Sequence, residues 1–125
     1  MAKCLEELLV YQRALEASAA ISAILDRDSF GRDRPLRDQL AASSESVASL
    51  IAEGFEQSTD RHFAQYLYRA RGSTREARTQ LIVARDRRHI SETERVRLSE
   101  RLEETAKMAT GLIRYLEAED RKHRR

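Results

Sequence analysis

Apolar residues recur along this chain at intervals of three and four, the spacing that keeps them on one face of an α-helix. Between Leu5 and Arg27 they form two parallel rows, Leu8, Tyr11, Leu15 and Leu25 beside Val10, Ala14, Ala17, Ile21 and Ile24. Together the rows make one wide apolar stripe, and a first helix over about residues 5–27. "DSFGRDRP" then breaks the pattern, because Gly31 and Pro35 continue a helix poorly and Pro35 suits a first helical turn. A second helix over about 35–55 carries Leu36, Leu40, Val47, Ile51 and Gly54 on one row. "EQSTD" is the next break, with Ser58 or Thr59 placed to cap a third helix over about 60–88, roughly 43 Å long. Its stripe is Phe63, Leu67, Ala70, Thr74, Ala77, Leu81 and Ala84. "HIS" separates it from a fourth helix over about 92–119, opened by the capping box Ser91-x-x-Glu94. Leu98, Leu102, Thr105, Ala109, Leu112 and Leu116 line that helix.

No segment alternates with a period of two. Short connections between long helices favour antiparallel neighbours, so the pattern predicts one all-α domain over residues 1–125, an up-down-up-down four-helix bundle with a basic tail at 121–125.

Two glycines interrupt otherwise continuous helix. Each costs roughly 1 kcal/mol relative to alanine in a helix interior, so each needs a reason. Gly54 lies near the end of the second helix and reads as a terminator with positive φ. Gly72 falls almost opposite the core stripe of the third helix, on a back face with Tyr68, Thr79 and Val83, and with Ile82 at its edge. A glycine there cannot serve the bundle's own core. It reads either as a tolerated surface residue or as the point where another copy of the chain comes close, which makes Tyr68, Gly72, Thr79 and Val83 the expected oligomer interface.

Composition changes this picture little. Charged residues are 35% and hydrophobic ones 41% of 125, with a single proline, as befits a solvated helical protein. No apolar run reaches the ~20 residues of a membrane span, and "MAKCLEELLVYQ" lacks the layout of a signal peptide. Cys4, the only cysteine, excludes an internal disulfide or a cysteine metal cluster, so a reduced cytoplasm is the expected setting.

Charge distribution matters more than the net +2. Residues 1–28 hold three basic against five acidic side chains, residues 35–56 one against four, and residues 60–89 eight against three. Within that basic segment Arg71, Arg75, Arg78 and Arg85 stand at i, i+4, i+7 and i+14 along one edge of the third helix, with Arg88 and His89 following. Such a row repels itself unless anions or acidic neighbours offset it. One reading is salt bridging to the acidic first and second helices or to a neighbouring subunit. The other is a phosphate-binding edge, since guanidinium groups match phosphate oxygens bidentately. No aromatics interleave the row at stacking positions, so base stacking is not indicated.

Catalytic constellations are absent from the sequence. His62, His89 and His123 are scattered, none lies i, i+4 from another histidine or a cysteine, and neither metal nor cofactor is expected. The serines of "AASSESVAS" read as small-residue packing, and Glu53, inside an apolar stretch, reads as a buried acid paired with an arginine. The protein is expected not to be an enzyme.

Three stretches, "LLVYQRALEAS", "SLIAEGFEQSTDRHFAQYLYRARGSTREARTQL" and the short "HIS", resemble the four-helix-bundle family of 23S rRNA intervening-sequence proteins. The most specific parts are Ile51-Ala52-Glu53-Gly54-Phe55, Phe63 with Leu67, Gly72-Ser73, and Glu76 followed by Thr79-Gln80-Leu81. Leu50 stands where the family usually has asparagine, and His62 where it usually has an acid, which weakens the capping box on Thr59. The resemblance implies a bacterial homopentamer, a ring of bundles around a tapered channel. It also implies a relation to the accessory subunit of diversity-generating retroelements, a basic pentamer that binds nucleic acid and a reverse transcriptase.

Two functions follow as expectations. One is an oligomer that binds RNA, or DNA, through Arg71, Arg75, Arg78, Arg85 and Arg88. The other is a structural or adaptor oligomer with a protein partner, its arginines tied up in inter-subunit salt bridges.

Overall fold

The computed structural model describes residues 2–123, and among these no strand occurs. After a 3₁₀ turn at Leu5–Glu7 come α1 (Leu9–Leu25), a single-turn α2 (Asp28–Gly31), α3 (Arg34–Phe55), α4 (Asp60–Asp86) and α5 (Glu92–His123). The expected first helix is thus divided into two pieces, the 3₁₀ turn and α1, and a single helical turn, α2, forms inside the stretch expected to be only a break. Leu8 (ψ 114°) and Arg27 (ψ 142°) are extended, which interrupts the helix at both ends. The apolar pattern hides the breaks because Leu8 and Leu25 are buried on either side of α1. The last helix continues past the expected 119 to His123, while Arg124 and Arg125 of the basic tail lie outside the described residues.

The four long helices pack in a ring of neighbours, α1 on α3, α3 on α4, α4 on α5 and α5 on α1. Cross-helix bonds fix their directions. Ser43 and Ser46 of α3 reach Gln80 and Ser73 of α4, and Arg13 and Arg27 reach Glu104 and Glu94. In each pair one number rises as the other falls, so the neighbours are antiparallel. All seven stripe residues of α4 are buried, as are the expected rows of α3 and the Val10–Ile24 row of α1. They form two stacked clusters. One is centred on Ile51, Leu67 and Leu116, the other on Ile21, Phe30, Leu40, Leu81 and Leu102. Buried hydroxyls are satisfied locally: Thr74 donates to the Arg71 carbonyl at 2.6 Å and Thr105 to the Arg101 carbonyl at 3.0 Å.

Both expected caps form. The Thr59 hydroxyl accepts from the His62 N–H at 3.2 Å. Ser91 and Glu94 exchange bonds of 2.9 and 3.1 Å as a complete capping box.

Gly54 is not a terminator with positive φ. No glycine among the described residues has positive φ, and Gly54 is buried inside α3. A Cβ built there would lie 2.7 Å from Cβ of Tyr66 and 2.9 Å from Cδ1 of Phe63. The residue is glycine because α4 crosses α3 at that point with no room for a methyl group. Glu53 beside it is exposed, not buried, because the helix turns it outward.

Candidate nucleic-acid interface

The arginine row takes its geometry from the α4–α5 pairing. Because α5 runs antiparallel to α4, a polar or acidic side chain of α5 faces almost every arginine on this edge. Arg71 donates to the Thr110 hydroxyl at 3.0 Å and lies 5.0 Å above the Tyr68 ring. Arg78 donates to Ser99 at 3.1 Å and to Glu103 at 2.7 Å. Arg85 bridges Asp86 at 3.0 Å and Glu92 at 2.7 Å. The acidic partners therefore come from α5 and from α4 itself, rather than from the first and second helices. Arg75 is the exception on the row: it is exposed, and its guanidinium has no partner among the described residues.

Arg88 is not on the row at all. The helix ends at Asp86, and Arg88 adopts φ 65° in the turn that follows. The His89 N–H bonds back to the Ala84 carbonyl and the Arg88 N–H to the Arg85 carbonyl, each at 2.9 Å. This is a Schellman ending with arginine in the left-handed position that glycine ordinarily fills. Arg88 is exposed and its side chain has no partner among the described residues.

The turn next to it is strongly organised. His89 is buried, stacked on Phe30 at 4.4 Å, and its Nε2 lies 2.7 Å from Oδ2 of Asp33. Nδ1 of His89 is buried without a partner, which fits a ring whose proton is on Nε2 and donated to Asp33. Arg87 donates to both Asp33 oxygens at 3.1 and 3.2 Å. The His89 bond, and then Arg87, hold the Asp33 carboxyl below its usual range. Nearby, Glu92 is depressed to about 2 by Arg95 and Arg85, and Glu94 to about 2 by Arg27 and the Ser91 N–H.

The expected oligomer face is partly as drawn. Gly72 is exposed, and a Cβ there would meet nothing within 4 Å, so no intramolecular packing accounts for it. Tyr68 is 43% and Ile82 41% exposed, and Thr79 is exposed as well. Val83 instead leans toward the core, half-buried against the cluster around Leu81, so Ile82 takes its place on the outer face. The Tyr68 hydroxyl donates to Glu117 at 3.1 Å, and that carboxylate raises its pKa. Among the described residues no group of three or more His, Cys, Asp or Glu side chains could hold a metal ion. Nor is any helix among the described residues long and apolar enough to cross a membrane.

With this architecture in place, the family model of the 23S rRNA-intervening sequence protein matches residues 6–111. The chain belongs to that family. The matched span takes in α1 through α4 and α5 as far as Gly111, which includes every arginine of the row, the Asp33–His89 turn and the Gly54 crossing. No curated protein matches the chain. Two features of this intervening-sequence protein escaped its sequence. Asp33 stands in a stretch whose composition marks only a helix break, and nothing in the sequence sets His89 apart from the other two histidines. The consecutive Asp33, Arg34 and Pro35 mark a helix start, but nothing local marks the turn that Asp33 reaches.

Proposed function

We propose that the protein is a non-enzymatic, self-associating module of the cytoplasm that binds nucleic acid, RNA in preference, by its phosphate backbone. The observation that carries this is the presence of exposed guanidiniums without intramolecular partners, Arg75 and Arg88, in a segment with eight basic and three acidic residues. An isolated exposed arginine contributes little to a fold. Phosphate contacts, by contrast, supply most of the affinity for nucleic acid without reading its sequence. Self-association through Tyr68, Gly72, Thr79 and Ile82 is supported by the helix-interior glycine that the bundle itself does not use. A pentameric ring is the assembly the family resemblance implies, and it would repeat the arginines around an axis and favour long RNA.

A second reading has its own support. Arg71, Arg78 and Arg85 are already engaged within the chain, which suits an adaptor oligomer whose partner is a protein such as a reverse transcriptase. Filter binding of RNA to the purified protein separates the two readings. Binding at low salt that weakens steeply as salt rises is expected for the first reading. No binding at low salt leaves the adaptor.

A further inference from the structure

We propose that the groove between α1 and α3 receives the outer face of α4 from a second copy of the chain, a pairing that rests on the self-association read above and supplies its other half. Tyr11 and Leu15 line the groove from α1, and Glu45, Ala48, Ser49 and Ala52 line it from α3. Apart from Glu45, the α3 wall is made of small side chains. Glu45 is exposed and has no partner among the described residues.

The composition of α1 calls for a cover on this side. Of its seventeen residues only Arg13 and Glu16 are charged, and they bond to each other at 3.1 Å. Inward, Val10, Ala14, Ala17 and Ile21 are buried in the bundle. Outward, Leu15 is 46% exposed, and Ala19, Ser22 and Ala23 are exposed with it. A helix without a polar face is ordinarily covered all round, and one bundle covers α1 on its inner side only. Gly72 is the feature that fits the groove. It lies exposed on α4, and a Cβ built there would meet nothing within 4 Å, so its backbone can close onto a wall of alanine and serine.

Charge sets which surfaces meet. From Asp38 to Glu56 the chain carries four carboxylates, all exposed, and no lysine or arginine. From Arg61 to Ile82 it carries five arginines against the single carboxylate of Glu76. Arg69, three residues before Gly72, is exposed, lies 5.2 Å over the Tyr66 ring and has no carboxylate partner among the described residues. Two α4 faces laid together would set these arginine segments against each other, and two grooves would oppose Glu45 to Glu45. Seating α4 in the groove brings unlike charges together instead. Because the joined surfaces differ, each copy keeps one of each for the next, and the contact repeats until the rotation closes a ring.

The test is light scattering on a groove variant, Ser49→Trp, on a back-face variant, Gly72→Leu, and on their equimolar mixture, with circular dichroism to confirm that each stays helical. Leu15→Lys is a second groove variant, on an exposed side chain, should tryptophan disturb α3. Each variant alone should fall to the mass of a single chain. The mixture should rise to twice that mass, because the intact α4 of the groove variant can still enter the intact groove of the other. Groove variants that keep the wild-type mass would overturn the pairing and leave self-association to another surface. So would a Gly72→Leu protein of unchanged mass, or a mixture that stays at one chain. If the wild type itself has the mass of one chain, the self-association and the pairing fall together.

Discussion

Replacing Gly54 by alanine adds one methyl group at the closest approach of α3 to α4. The new Cβ would stand 2.7 Å from Cβ of Tyr66 and 2.9 Å from the Phe63 ring. Ordinary carbon contacts need about 3.5–4 Å, so the helices must separate by most of an ångström or the Phe63 ring must leave its place. Cβ of Tyr66 cannot rotate away, because it is fixed to the backbone of α4. Phe63 is 5% exposed and packs edge-on against Phe55 at 6.0 Å, so moving it disturbs the core cluster around Ile51 and Leu67. Overpacking of this kind costs about 1–3 kcal/mol, and alanine's better helix propensity returns about 1 kcal/mol. The net loss is up to about 2 kcal/mol, or up to about 8 °C in melting temperature at ~2.1 cal/mol/K of unfolding entropy per residue.

Gly72→Ala is the internal control. It gains the same propensity and meets nothing within 4 Å, so the isolated bundle should be stabilised by about 1 kcal/mol. Thermal melting of the two variants by circular dichroism at equal concentration should therefore move in opposite directions. A Gly54→Ala protein that melts at or above the wild type would refute the close-approach account.

Gly72→Leu should lower the mass of the assembly in light scattering while each bundle stays helical; an unchanged mass would remove the glycine from any subunit contact. Ser91→Ala should cost about 1 kcal/mol by opening the capping box, seen as a melt about 4 °C lower, and Glu94→Gln should cost less because the amide oxygen still accepts from the Ser91 N–H and only the charge paired with Arg27 is lost. Arg88→Gly should stabilise by about 0.5–1 kcal/mol, the left-handed strain relieved less the added freedom of glycine in the unfolded chain. Acid should weaken the fold through Glu92 and Glu94. Their folded pKa values of about 2 lie below the usual 4.5, so their contribution is complete above about pH 4.5 and is lost as pH falls toward 2. A melting temperature that does not fall over that window would contradict the pairing of these carboxylates with Arg27, Arg85 and Arg95.

The stripes were legible because burial acts through a period that sequence displays directly. Phe63, Leu67, Ala70, Thr74, Ala77, Leu81 and Ala84 sit where their spacing places them, and the caps at Thr59 and Ser91 are local bonds. What crosses between helices was not legible. Whether Arg78 is free depends on Glu103, 25 residues away, and the register that sets them opposite belongs to the packed bundle. Gly54 resembles a helix end because "GFEQSTD" follows it, while its actual reason, Tyr66, lies on the facing helix. Asp33 has the composition of a turn residue, and only the tertiary fold turns its carboxylate from capping α3 to binding His89, 56 positions on. The helix-edge arginines were found but read as a unit, whereas the fold pairs three of them and leaves Arg75 and Arg88 apart.

The affinity of the wild-type protein for single-stranded RNA as a function of salt tests the central claim most directly. The two unpaired guanidiniums that carry the reading, Arg75 and Arg88, at ~0.7 per phosphate give a slope of log K against log salt of about −1.4 per chain engaged, steeper when a long RNA spans several copies. A slope near zero, or no binding at the lowest salt, would contradict a phosphate-binding role for these arginines.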